Sequence, residues 1–220
     1  TAINFDYPSY GEVLKKQGIH TAYTGKVDVY KDADKLDFSE TFNIFDRGQP
    51  GDTNMSRQPL KIRKGSHKRA DGYGVKEDTF TGDENTITGA VSWIKENSIQ
   101  IDKDWTFTVN TAAPHFPHYV TEELWNMYEG KGDLPAHGSE AKSAGHPYAR
   151  DLRNHFETDY FNEEQIRGLR QGYYGCITYV DQELGRLIDA LKESGQLEDT
   201  IIVYTSDHGE MLGKFGMWWK

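Results

Sequence analysis

The sequence predicts an α/β fold, and three observations carry that prediction. Short apolar runs with strand character recur at Ile19–Thr24, Trp105–Asn110 and Ile201–Tyr204. Stretches of helical periodicity lie between them, and such alternation is the mark of the α/β class. The last run breaks off into Thr205-Ser206-Asp207-His208-Gly209-Glu210. That places a carboxylate and an imidazole where a strand would end, and open α/β sheets bind ligands outside the carboxyl ends of their strands.

Composition narrows the class. A chain of 220 residues with 36% hydrophobic and 13% aromatic residues is globular and long enough to bury a sizeable core. Its net charge of −10 argues against a nucleic-acid partner, because phosphate backbones need a basic surface. The single cysteine, Cys176, excludes an internal disulfide framework and leaves the compartment open. No stretch approaches the roughly 20 apolar residues of a membrane span, so no membrane partner is expected. Thr1 is not a natural start, and an upstream segment is expected.

In chain order, Tyr7–Gly18 reads as a short helix with Pro8 at its start and Gly18 just past its end. Ile19–Thr24 follows as a strand, closed by Gly25-Lys26. Thr41–Asp46 alternates in polarity and predicts a short strand. Residues 48–74 read as a long loop carrying a basic cluster, Lys61-Ile62-Arg63-Lys64-Gly65-Ser66-His67-Lys68-Arg69. That cluster is either a solvated loop face or a patch that attracts an anionic substrate. Asp83–Ser98 has helical spacing at Ile87, Val91 and Ile94, with Thr81 or Asp83 as cap.

Trp105–Asn110 is a strand, followed by Ala113-Pro114-His115-Phe116-Pro117-His118, where two prolines stiffen a loop that presents two histidines. Thr121–Tyr128 predicts a short helix. Residues 130–160 look irregular, and His137, His146 and His155 lack metal-site spacing. Asn162–Ser194 is the longest regular element, with Asn162 and Gln165 as a capping box and Gly195 as its stop. Cys176 lies beside its apolar stripe and reads as a packed core thiol. Ile201–Tyr204 then predicts a strand buried on both faces.

Four separated stretches together resemble the sulfatase branch of the alkaline-phosphatase-like superfamily. They are Gly11–Lys26, with its Leu14-Lys15…Gly18…Thr21…Gly25-Lys26 pattern; Ala113-Pro114-His115-Phe116-Pro117; Tyr174–Arg186, with Asp181 and Gly185-Arg186; and Thr205–Gly213 followed by Gly216-Met217-Trp218-Trp219-Lys220. Their order and their spread over nearly the whole chain make the resemblance specific. It implies an alkaline-phosphatase-like three-layer sandwich, with a mostly parallel central sheet and helices on both faces, incomplete here. It also implies that residues 1–220 are part of a single catalytic domain.

The resemblance further implies roles for the matched positions. Asp207 and His208 would bind a divalent metal, calcium as the family's first choice, with manganese or zinc as alternatives. Lys26 and Lys220 would contact the oxygens of a small anionic sulfate ester, aryl or carbohydrate. His115 would bind the sulfate and assist the leaving group. The chemistry suits these residue types, since spread negative charge in transfer is stabilised by fixed cations and a metal.

Two positions depart from the family pattern. Asp28 replaces a histidine that contacts the nucleophile; a carboxylate there can act as a base but lacks an imidazole's near-neutral pKa. Phe215 replaces a second histidine. The family's nucleophile is a formylglycine made within C/S-x-P-x-R, and none of the seven prolines here lies in that motif. By family order, the formylglycine and the remaining metal-binding aspartates are expected before Thr1, and a smaller subdomain after Lys220. The chain alone is then expected to be inactive. A phosphoesterase or phosphonate monoester hydrolase of the same superfamily is the alternative enzyme, and a non-catalytic sulfatase-like binding protein the alternative to catalysis.

Overall fold

The computed structural model describes residues 7–28, 33–46, 60–138, 140 and 146–220. Its strands are β1 (His20–Lys26), β2 (Glu40–Phe45), β3 (Tyr73–Val75), β4 (Trp105–Asn110) and β5 (His118–Val120). Its α-helices are α1 (Tyr10–Lys16), α2 (Thr81–Ser92), α3 (Glu122–Met127), α4 (Pro147–Phe156) and α5 (Glu163–Glu193). The chain divides into two compact units. The first holds Thr1–Thr53, Phe80–Ala112 and Asp181–Ile202, and the second holds Asn54–Thr79, Ala113–Val180 and Val203–Lys220. No described helix is long and apolar enough to cross a membrane.

The first unit is built on a parallel sheet of order β2-β1-β4. Successive residues of a strand point to opposite faces. Ala22 therefore packs one way, against Trp93, Ile94, Ala190 and Leu191, while Tyr23 packs the other way, against Val27 and Phe38. Both faces of β1 are covered, as parallel strands require. Helix α1 is capped by Ser9, whose hydroxyl accepts the Glu12 N–H at 3.0 Å, and Gly18 follows it in the left-handed region. The expected helix over Asp83–Ser98 is α2 continued by a π-helical turn, Trp93–Asn97, and a 3-10 turn, Ser98–Gln100. Neither Thr81 nor Asp83 caps it. Its N-cap position is Phe80, with no side-chain bond, and buried Asp83 instead accepts the Ala112 N–H at 2.7 Å.

The second unit pairs β3 with β5 in parallel, Tyr73 beside His118. Helix α5 begins in this unit with the expected capping box. The Asn162 N–H donates to Gln165 Oε1 at 3.1 Å and the Gln165 N–H to Asn162 Oδ1 at 2.9 Å. The helix lies very close to β5, since a Cβ at Gly172 would sit 2.1 Å from the His118 carbonyl oxygen. Cys176 is buried, as expected of a core thiol. The core joins Phe156, Leu169, Trp218 and Trp219.

Three expectations are corrected. The region 130–160 is not irregular throughout: Pro147–Phe156 is a helix, with Pro at its first turn and His146 accepting the Tyr148 N–H. His155 is buried on it rather than sitting in a loop. Within the expected loop 48–74, Ser66–Asp71 forms a 3-10 helix and Tyr73 opens β3, while residues 48–59 lie outside the described part. Ile201–Tyr204 is not a buried strand: Ile201 is 91% and Val203 78% exposed. A β-branched run is competent to form a strand, but a strand exists only by pairing, and no described strand pairs with this one.

Candidate active site

In the second unit the chain doubles back between Glu210 and Lys220. The Met211 N–H donates to the Trp219 carbonyl at 3.0 Å and the Gly213 N–H to the Met217 carbonyl at 2.8 Å. Glu210 closes the reversal with one carboxylate oxygen, which accepts the N–H groups of Trp219 at 2.6 Å and Leu212 at 3.2 Å. Burial pushes the Glu210 carboxyl up, against the opposing pull of those backbone donors. Trp219 adopts a left-handed backbone (φ 65°), unusual for a bulky residue.

This reversal delivers the Lys220 ammonium to His208. Lys220 Nζ lies 2.7 Å from His208 Nε2 and 3.3 Å from His115 Nε2. The imidazole rings of His115 and His208 are 5.9 Å apart, nearly edge to face. The two histidines share one tautomer for the same reason. His115 Nδ1–H donates to the Phe116 carbonyl at 2.7 Å, and His208 Nδ1–H to the Gly209 carbonyl at 2.8 Å. Each Nε2 therefore keeps its lone pair and faces the ammonium, which has protons to donate to both. Asp207 Oδ2 stands 3.5 Å from His208 Nε2. The structure thus brings together Asp207, His208, His115 and Lys220.

The second histidine of the proline loop has a different fate. His118 is fully buried, with Nδ1–H donating to the Leu169 carbonyl at 3.0 Å and Nε2 lacking a hydrogen-bond partner among the described residues. Burial holds its pKa down at about 4, so the ring is neutral.

Lys26 and Asp28 belong to the first unit. The Lys26 ammonium lies 3.8 Å from the Asp28 carboxylate. The backbone beneath Lys26 is fixed more tightly. Its carbonyl accepts the Tyr23 hydroxyl at 2.7 Å and the Asn110 amide at 3.2 Å, and Asn110 also donates to the Tyr23 oxygen at 2.6 Å. Burial pushes the Tyr23 phenol up to about 12, so it stays a donor. Gly25 permits this approach: its φ is 95°, and a Cβ there would lie 1.9 Å from the Asn110 carbonyl oxygen.

Sequence reasoning missed Tyr23 and Asn110 as supports of Lys26, and Glu210 as the support of the reversal before Lys220. The first two carry a legible signal, since Tyr23 lies three residues before Lys26 on β1 and Asn110 ends the paired strand β4. The turn role of Glu210 depends on a hydrogen bond nine residues away, which no local pattern announces.

Asp207 and His208 offer a metal one carboxylate and one imidazole nitrogen. Among the described residues no group of three or more His, Cys, Asp or Glu is placed to share an ion. The two donors alone make an incomplete coordination shell, and His208 Nε2 faces Lys220.

The model of the family described as "Sulfatase" matches residues 3–219. The chain belongs to the sulfatase family. A choline-sulfatase of Rhizobium meliloti (strain 1021) is 29% identical to this sulfatase chain over 228 aligned residues, covering 97% of the chain and 44% of the relative. A sulfatase of Formosa agariphila is 32% identical over 169 residues, covering 73% of the chain and 32% of the relative. The chain thus spans less than half the length of these curated relatives. Among solved structures, the phosphonate monoester hydrolase SpPMH of Silicibacter pomeroyi superposes with a TM-score of 0.66 at 23% identity, over 99% of this chain and 50% of that one. The fold is accordingly the α/β, parallel-sheet, alkaline-phosphatase-like fold that the sequence motifs imply.

Proposed function

We propose that the protein containing this sulfatase chain hydrolyses sulfate esters, with a formylglycine nucleophile and a divalent metal. The observation that carries the reading is the Lys220 ammonium shared between the Nε2 atoms of His115 and His208. A cation fixed between two imidazole nitrogens is a preorganised receptor for an anionic group. An incoming sulfuryl oxygen accepts from Lys220 Nζ in place of an imidazole. Once protonated at Nε2, His115, anchored through Nδ1, donates to the ester and gives that proton to the leaving oxygen. The family resemblance gives Lys26 a contact to the sulfate oxygens, and Asp28 is the carboxylate beside it.

Asp207 and His208 would hold the metal, with calcium the first choice by family likeness and manganese or zinc as alternatives. A bound divalent ion supplies charge stabilisation and lowers the pKa of a hydroxyl nucleophile. The substrate is a small aryl or carbohydrate sulfate.

The test is turnover of matched aryl sulfate and aryl phosphonate esters by the full-length protein. Preference for the sulfate, lost in Asp207→Ala, supports the reading. Unchanged turnover in that variant overturns the metal assignment. Preference for the phosphonate overturns the substrate class, and binding without turnover overturns catalysis.

A further inference from the structure

The basic cluster 61–69 is not one surface. Lys61, Arg63, Lys64 and Lys68 are exposed, whereas Arg69 is half-buried on the 3-10 helix Ser66–Asp71. Its guanidinium carbon lies 5.0 Å from the ring centre of Trp219, 5.5 Å from that of Phe116 and 5.9 Å from that of Phe156. The rings also pack on one another, Phe116 at 5.4 Å and Phe156 at 4.9 Å from Trp219, both nearly edge to face. Two of these aromatics are the chain neighbours of His115 and Lys220. Phe116 also supplies the carbonyl that fixes the His115 tautomer.

From this we infer that Arg69 is a positioning residue: it holds the rings of Phe116 and Trp219, and through them sets His115 and Lys220 in register with His208. The inference rests on the sulfate-ester reading above for its effect on turnover. The backbone of Trp219 is in a sparsely populated left-handed state immediately before Lys220. Such states persist only where the surroundings over-determine them. Glu210 and Met211 secure the Trp219 peptide groups. The indole Nε1–H is buried without a hydrogen-bond partner among the described residues, so the ring is oriented by packing and by the guanidinium on its face. A planar, delocalised cation is suited to that task, because it stacks on aromatic faces and stays charged.

The experiment compares wild type with Arg69→Met and Arg69→Lys in the full-length protein. Both variants are assayed on an aryl sulfate and crystallised. Arg69→Met is expected to lower kcat by about tenfold or more with KM within about twofold, because misplacement of about an ångström is enough for such losses. In its crystal structure, Lys220 Nζ is expected to leave hydrogen-bonding distance of one or both imidazoles. Arg69→Lys, which keeps a cation on the rings, is expected to fall between the two and serves in place of Arg69→Met should that variant not fold. A raised KM with unchanged kcat overturns the inference by making Arg69 a substrate contact. Unchanged kcat, or Lys220, His115 and His208 unmoved, overturns it outright. Wild type inactive on sulfate esters refutes the functional reading instead, and the crystal structures then decide the positioning role by themselves.

Discussion

Acidification should unload a specific part of the stability of the second unit through His118. The ring is fully buried, donates through Nδ1 to the Leu169 carbonyl, and has its pKa lowered from 6.5 to about 4, chiefly by burial. In the unfolded chain the same imidazole takes up a proton near 6.5. Between these values the unfolded state binds more protons than the native state, so stability falls as pH falls. This contribution is fully present above 6.5 and is lost progressively down to about 4. At about 1.4 kcal/mol per unit of pKa, the window is worth about 3 kcal/mol. The assay is urea unfolding of wild type and His118→Phe at intervals from pH 7.5 to 4. The variant gives up one hydrogen bond but has no ring to protonate, so it is less stable at neutral pH and less steeply dependent on pH. Parallel stability profiles for the two proteins across this range would refute the reasoning.

Two further outcomes follow from the same geometry. Gly25→Ala should destabilise the first unit by about 3 kcal/mol or more, because a left-handed alanine whose Cβ meets a carbonyl oxygen at 1.9 Å must push β1 from β4; calorimetry reads this, and an unchanged Tm contradicts it. Lys220→Ala in the full-length protein should lower kcat on an aryl sulfate by about 10²–10³, the usual effect of removing one preorganised donor; a loss confined to KM would show that Lys220 only gathers substrate.

The parts of the fold that were legible are those whose cause is local. The Asn162–Gln165 capping box, the Gly18 stop after α1 and the strand Trp105–Asn110 each depend on residues within a few positions of one another, whereas the start of α1 falls at Ser9, after Pro8 rather than around it. Helix α4 escaped because its sequence, Pro147-Tyr148-Ala149-Arg150-Asp151-Leu152-Arg153-Asn154-His155-Phe156, is mostly polar and buries Arg153 and His155 along with Phe156. Ile201–Tyr204 misled for the opposite reason: its residue types suit a strand, but pairing is a non-local condition. Lys220, His115, Asp207 and His208 were found by motif resemblance, and no residue spacing would have joined Lys220 to His115, 105 positions apart. Arg69 was hidden in a run of exposed cations, because sequence shows charge but not the faces that charge meets.

The exposed run Ile201–Tyr204 has a practical meaning for handling the 220-residue chain by itself. Two isoleucines, a valine and a tyrosine in succession, open to water, are residue types that pair readily with another strand. Asp199 and Asp207 flank the run with negative charge, acting as gatekeepers that slow self-association. A strand that paired with this run would therefore set solubility as well as the placement of Asp207 and His208.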